Sequence, residues 1–198
     1  MKHAIILAHP DGKSFNAAVA NTYAKTVRAL GHTAVVRDLY ALKFDPCLPL
    51  TELPWRDDYK VSDDVAAERE AVAGADVFVL VYPLWFNAPP AILKGWVDRV
   101  MSFGFGFKPA PGGNAPSLEG RRLLSFSSSG APEDWVRQTG ALQHLCKGFD
   151  DHLAGVVGLR VEGHVHFGSV IPGIRDDAVT DMLAEVADKA RSLFGMSA

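Results

Sequence analysis

Apolar positions along this chain fall into two alternating patterns. Ala4–Ala8 is a short continuous apolar run stopped by His9-Pro10 and Asp11-Gly12, as a strand buried on both faces would be. Ser14 to Leu30 switches to helical spacing, with Val19, Tyr23, Val27 and Leu30 on one face, Ser14 as N-cap and Gly31 as the stop. Thr33–Arg37 predicts a second short strand. From Asp38 to about Ser62 neither period holds, and Pro46, Pro49 and Pro54 predict a long, mostly irregular excursion. Asp63–Ala73 reads as a helix ended by Gly74, and Asp76–Tyr82 as the most apolar strand. Pro89 or Pro90 opens a helix whose apolar face holds Ile92, Leu93, Trp96, Val97 and Val100. Phe103–Glu119, rich in Gly, Pro and Phe, predicts another long loop. Arg121–Ser127 is then a strand, Glu133 to His152 mainly helix, Leu159–Phe167 a last strand and Asp176–Phe194 a closing amphipathic helix.

Strand–helix alternation throughout predicts an α/β fold: a central parallel sheet with helices on both faces, doubly wound because such crossovers are right-handed. In sheets of this kind ligands sit beyond the carboxyl ends of the strands. Four loops therefore matter, those after Ala8, Tyr82, Ser127 and Phe167.

Charge narrows the function classes. Twenty Lys and Arg against 23 Asp and Glu give a formal charge of −3, which argues against wide nucleic-acid contact, since that needs a cationic stripe. The 198 residues predict one domain over 1–198, and 48% hydrophobic residues are enough for a sizeable core. Cys47 and Cys146 are too few for a disulfide scaffold. No apolar run approaches the roughly 20 residues of a membrane helix, and the N-terminus lacks a secretion signal. A cytoplasmic protein, not integral to a membrane, is the expectation.

The first loop, His9-Pro10-Asp11-Gly12-Lys13-Ser14-Phe15-Asn16, joins a buried strand to a helix N-terminus. Backbone N–H groups at Phe15 and Asn16, the Ser14 hydroxyl and the Asn16 side chain can donate to a phosphate there, aided by the helix dipole. Ser14 equally serves as a plain cap. The loop is neither GxGxxG nor GxxxxGK[ST]. After Tyr82, Pro83-Leu84-Trp85-Phe86 puts apolar side chains at the sheet mouth, to stack on a flat conjugated ligand or to be covered by another subunit. Ser127-Ser128-Ser129-Gly130 offers hydroxyls at the next strand end, or only a polar turn. Phe103, Phe105 and Phe107 either line a pocket or tuck under their loop.

His9-Pro10 with Ser14-Phe15-Asn16, then Tyr82 to Phe86 and the segment Pro90 through Arg99, resembles the flavodoxin-like NAD(P)H:quinone oxidoreductases. The resemblance implies sheet order 2-1-3-4-5 and a bound flavin, FAD in most quinone reductases and FMN in others. It assigns His9, Ser14, Phe15 and Asn16 to phosphate and ribityl. Pro83, Leu84, Trp85 and Phe86 would border the ring, with Ser127, Ser128 and Gly130 completing the site. It further implies a homodimer with the substrate pocket at the subunit interface. The family's tyrosine and histidine beyond the last strand have no match in Gly163-His164-Val165-His166-Phe167-Gly168, so no catalytic pair is carried over. His164 and His166 face one side of a strand; without a third ligand they predict a polar strand face rather than a metal site.

The activity so implied is hydride transfer from NAD(P)H through flavin to a quinone or similar electron-poor ring, which needs no protein nucleophile. The competing reading is non-catalytic: a flavin-bound electron carrier, or an accessory subunit of a membrane transport system. A phosphoryl-accepting receiver domain is excluded, because Asp11 stands alone and the third strand ends in Tyr82-Pro83.

Overall fold

The computed structural model describes residues 1–195. Strands β1 (Lys2–Leu7), β2 (Thr33–Asp38), β3 (Val77–Pro83), β6 (Arg122–Ser128) and β7 (Arg160–Phe167) form one parallel sheet in the order β2-β1-β3-β6-β7. Strands β4 (Phe107–Ala110) and β5 (Gly113–Pro116) make a separate antiparallel hairpin. Without that hairpin the order is the expected 2-1-3-4-5. The residues 196–198 of the expected domain lie outside the described residues.

Period-2 alternation explains the two-sided burial. Ala4, Ile6, Phe78, Leu80 and Tyr82 point to one core, shared with α2 (Asp63–Val72), α3 (Ala91–Val100) and α6 (His152–Val157). Ile5, Leu7, Val77, Val79 and Val81 point to the other, shared with α1 (Phe15–Ala29) and α7 (Asp176–Phe194). Every residue of β3 is buried, and each large aliphatic one contributes about 1.5–3 kcal/mol relative to exposure. That makes β3 the axis of the fold, and its carboxyl end is where the candidate loops meet.

One expectation is overturned and one refined. Phe103–Glu119 is not all loop: its middle folds into the β4–β5 hairpin, turned at Pro111-Gly112 with Gly112 at φ +86°. Glu133–His152 is mainly helical, as expected, but in separate pieces. It divides into α4 (Glu133–Gln138) and α5 (Ala141–Leu145), with left-handed Gly140 between them, and a π-helical segment, Cys146–Asp151, leads into α6. Gly140, at φ +74°, ends the first stretch.

The irregular excursion after β2 is held by charge as well as by apolar contact. Arg99 on α3 binds Glu52 and Asp64 and also donates to the Asp45 carbonyl. Glu68 on α2 pairs with Arg37 and accepts from the Trp96 indole N–H at 3.0 Å. The Pro46 backbone lies directly on Gly95, so a Cβ at that helix position would overlap it. Gly95→Ala is therefore expected to destabilise the protein by about 1–3 kcal/mol, despite alanine's better helix propensity. Urea unfolding measures it; a variant as stable as the parent would show that the excursion moves freely.

Candidate functional site

The first strand end turns at His9-Pro10 and is tied locally. His9 Nδ1 lies 3.0 Å from the Asp11 backbone nitrogen and 3.3 Å from the Asp11 carbonyl oxygen, which leaves Nε2 as the ring nitrogen without a protein partner among the described residues. Asp11 Oδ1 accepts from the Lys13 N–H, and the Asp11 carbonyl accepts from the Ser14 N–H. Ser14 then caps α1, its Oγ accepting from the Ala17 N–H at 3.2 Å. The N–H groups of Phe15 and Asn16, being the first of the helix, have no intrahelical acceptor. No acidic residue occupies that first turn, which leaves the dipole's positive end open to an anion.

Loop two leaves β3 at Pro83. The Leu84 N–H donates to the Ser128 carbonyl at 2.7 Å, clamping this loop to the end of β6. Trp85 and Ala88 exchange two backbone hydrogen bonds of 3.1 Å around a two-residue turn. Its central residues, Phe86 and Asn87, have φ of 50° and 56°, the left-handed geometry such turns require. Phenylalanine is a poor choice there, and the strain costs on the order of 1–3 kcal/mol. The ring is also fully exposed. Phe86→Gly is expected to raise thermal stability, by about 1 kcal/mol; calorimetry showing a loss instead would mean that the Phe86 ring is packed in solution, against a partner or ligand.

The four strand ends enclose a cleft of about 180 Å³ lined by His9, Phe15, Asn16, Pro83, Leu84, Trp85, Ser128, Ser129, Gly130 and Val170. Eight of the eleven sequence-derived residues thus lie together: His9, Phe15, Asn16, Pro83, Leu84, Trp85, Ser128 and Gly130. Asn16 is turned inward, donating to Ser128 Oγ at 2.9 Å, so it braces the cleft between the first and third loops. Three of the eleven stand elsewhere. Ser14 sits at the cap, Phe86 projects into solvent, and Ser127 is buried beneath the floor. The cleft thus combines the N–H donors that open α1 with an apolar Pro83-Leu84-Trp85 wall, and the His9 and Trp85 ring centroids lie 6.2 Å apart across it.

Below that floor lies a group of side chains whose association the sequence did not disclose. Asp150 Oδ2 meets His164 Nδ1 at 2.5 Å, and the Ser125 hydroxyl donates to Asp150 Oδ1 at 2.8 Å. Ser127 Oγ lies 2.6 Å from His164 Nε2 and 2.8 Å from His166 Nδ1, and His166 Nε2 is 3.0 Å from Ser129 Oγ. Both histidines of this polar strand face thus converge on one hydroxyl, that of Ser127. Cys146 and Asp150 come from the π-helical segment and approach His164, but not His166. The Tyr82 hydroxyl is buried beside them without a partner among the described residues. An odd-sized helical turn leaves no mark in apolar periodicity, which is why Asp150 was missed. The HxH spacing was the one visible signal.

Burial pulls the His164 pKa down, but the bonds to Asp150 and Cys146 outweigh it and raise it to about 9. Burial and the neighbouring His164 lower His166 to about 4; burial and His32 do the same to His3. Opposite signs bracket the pH of greatest stability. His164 binds its proton more tightly folded than unfolded, so its contribution is complete below about 6.5 and lost as pH rises towards about 9. His3 and His166 resist protonation when folded, so stability also falls as pH drops from about 6.5 towards 4. Stability should peak near pH 6.5, with losses on the order of a few kcal/mol on each side. Urea midpoints across pH 4–9 that stay level would contradict this.

Comparison with known proteins gives three kinds of match. The family described as flavodoxin-like fold matches residues 1–190. A Haemophilus influenzae protein named as an NAD(P)H oxidoreductase is 32% identical over 188 residues, covering 94% of this chain and 92% of the relative. The mouse ribosyldihydronicotinamide dehydrogenase [quinone] is 31% identical over 151 residues, and the match spans 67% of this chain and 65% of that longer relative. Among solved structures, an NAD(P)H:quinone oxidoreductase from Methanothermobacter marburgensis superposes with a TM-score of 0.84 at 27% identity, covering 100% of this chain and 98% of that one. An FMN-dependent NADH-azoreductase from Bacillus anthracis, solved with FMN, shares the fold at a TM-score of 0.71 and 22% identity, over 98% of this chain and 99% of that one.

Proposed function

This chain belongs to the flavodoxin-like fold family, and from that premise and the cleft geometry we propose that it is a flavin-dependent oxidoreductase passing hydride from NAD(P)H to a quinone or similar electron-poor ring. The observation that carries this reading is the pairing, in one cleft, of the unpartnered N–H groups opening α1 with the Pro83-Leu84-Trp85 wall. The names of the relatives support the donor and acceptor classes.

The flavin supplies the hydride chemistry, and the protein positions and shields it. Phe15 and Asn16 N–H groups, with the His9 imidazole, would hold its phosphate. Leu84 and Trp85 would exclude water from one side of the ring, and Ser128, Ser129 and Gly130 would bound its edge. FAD is preferred to FMN on the family resemblance; FMN in the structurally similar azoreductase keeps the second alternative in the test. A homodimer accords with the exposed Trp85, at 43% exposure, beside the cleft. No described helix is long and apolar enough to cross a membrane.

The deciding experiment is simple. Purified protein should be yellow, or take up one flavin per chain, and heat release followed by chromatography identifies it as FAD or FMN. Turnover of NAD(P)H with a simple quinone should follow ping-pong kinetics, because donor and acceptor must take turns at near-attack distance over one open ring face. A colourless protein that neither flavin reconstitutes would refute the reading. Bound flavin without turnover would favour the carrier or accessory role.

A further inference from the structure

Resting on the flavin reading above, we propose that Asp150, His164, Ser127, His166 and Ser129 form a proton row that runs from the core to the cleft wall and delivers the proton consumed in quinone reduction. The reaction requires one. NAD(P)H, a quinone and a proton give NAD(P)+ and hydroquinone, and the cleft itself offers no carboxylic acid among its lining residues.

The row is continuous and every contact is of hydrogen-bond length. Asp150 Oδ2, His164 Nδ1, His164 Nε2, Ser127 Oγ, His166 Nδ1, His166 Nε2 and Ser129 Oγ succeed one another without a break. Ser129 also donates to the Ala131 carbonyl at 3.0 Å. One arrangement of hydrogens satisfies all of these at once. His164 is an imidazolium, giving Nδ1–H to Asp150 and Nε2–H to Ser127. The Ser127 hydroxyl donates to His166 Nδ1, His166 Nε2–H donates to Ser129, and Ser129 donates to Ala131.

Reversing the three links from His164 Nε2 to Ser129, with the Asp150–His164 bond kept, gives a second arrangement that holds one proton fewer, and the Ala131 carbonyl that Ser129 leaves still accepts from the Ser169 N–H. The His164 Nε2–H bond breaks as Ser127 Oγ takes that proton and hands its own to His166 Nδ1. His166 releases Nε2–H to Ser129, and the former Ser129 proton forms the new O–H bond on the acceptor oxygen in the cleft. No atom in the row changes oxidation state, and after the hydroquinone leaves, Ser129 takes a proton from water in the cleft and the same links flip back to refill His164. Ser127 ends donating to His164, and Ser129 ends donating to His166. A simple structural brace would satisfy one polarity; this geometry accommodates both.

The surroundings bias the charge to the buried end. Around His164 stand Asp150 and Cys146 from the π-helical segment and the edge of the Tyr82 ring from β3. Glu133 and Arg137 on α4 act on His166 with opposite signs, and His164 itself opposes a second charge there. His164 thus stores the proton and His166 passes it on. Only Ser129 lines the cleft; the other members act through it as positioning residues.

Two measurements test the row. In flavin-free protein at pH 7, ¹⁵N NMR of the imidazoles should show His164 protonated on both nitrogens and His166 neutral with hydrogen on Nε2. A neutral His164 overturns the proposal. In flavin-loaded protein, rapid mixing separates reduction by NADPH from reoxidation by 1,4-benzoquinone. Ser127→Ala should slow only reoxidation, by at least about tenfold, and abolish both its solvent isotope effect and its loss of rate above about pH 9. Ser127→Thr, which keeps the hydroxyl, should restore all three. If Ser127→Ala does not fold, His166→Phe interrupts the same row with a ring. Reoxidation unchanged in rate and pH profile in the interrupted variant overturns the proposal. An absorbance titration with FMN and FAD reads failure of flavin binding separately; that result removes the functional reading and the row's role with it, whatever the imidazoles show.

Discussion

Ser14→Asp should weaken flavin binding by about 100-fold while leaving the fold as stable as the parent. The serine Oγ accepts from the Ala17 N–H at 3.2 Å, and aspartate is an equally good cap. The substitution adds a negative charge to a first turn that has none, where the dipole stabilises it. A phosphate held by the neighbouring N–H groups would then face that carboxylate at about 4 Å, a repulsion on the order of a few kcal/mol at an effective dielectric near 20. Calorimetric titration with FMN and FAD, beside a thermal melt, separates the two effects. Affinity equal to the parent's would make Ser14 a cap alone and move the phosphate site away from this loop.

Arg99→Ala should cost about 3–5 kcal/mol of stability, the largest single-side-chain loss expected outside the apolar core. The guanidinium is only 3% exposed and bonds Glu52 at 2.7 and 3.0 Å and Asp64 at 2.7 and 2.9 Å. Its own pKa is raised by the Glu52 hydrogen bond, and Asp64 adds to this. Removing it strands Glu52, 7% exposed, without its partner, and frees the Asp45 carbonyl as well. The penalty is that of an uncompensated buried charge rather than of a lost surface pair. Arg99→Lys should recover only part of the loss, because an ammonium cannot serve both carboxylates with two bonds each. Urea unfolding measures both. An Arg99→Ala variant within 1 kcal/mol of the parent would show that Glu52 is reached by water.

Both predictions draw on residues that the sequence placed in different ways. The five main strands and helices α1, α2, α3 and α7 were legible because their apolar residues repeat with the period of the element and end at Ser, Pro or Gly signals: Ser14 before α1, Pro90 before α3, Gly31 and Gly74 after α1 and α2. Strand alternation then located the cleft, since parallel strands deliver their following loops to one edge. His9, Phe15, Asn16, Pro83, Leu84, Trp85, Ser128 and Gly130 meet there for that reason.

Local pattern carries no such information about pairs distant in sequence. Arg99 finds Glu52 across 47 positions, and Asn16 finds Ser128 across 112. The β4–β5 hairpin arises in a Gly- and Pro-rich stretch without strand periodicity. The direction in which Ser127 points was decided by strand register: pairing of Ser127 with His166 across β6 and β7 turns its hydroxyl into the core. The π-helical turn then carries Asp150 to His164. The parallel sheet and the edge that bears the cleft were thus legible in the chain, because burial periodicity and capping act within a few residues, whereas the strand order came with the family resemblance. The Asp150-His164-Ser127-His166-Ser129 contacts and the Arg99 cluster arise only on folding, because hydrogen bonds and ion pairs between distant segments exist only once the strands have docked and water has been expelled from between them.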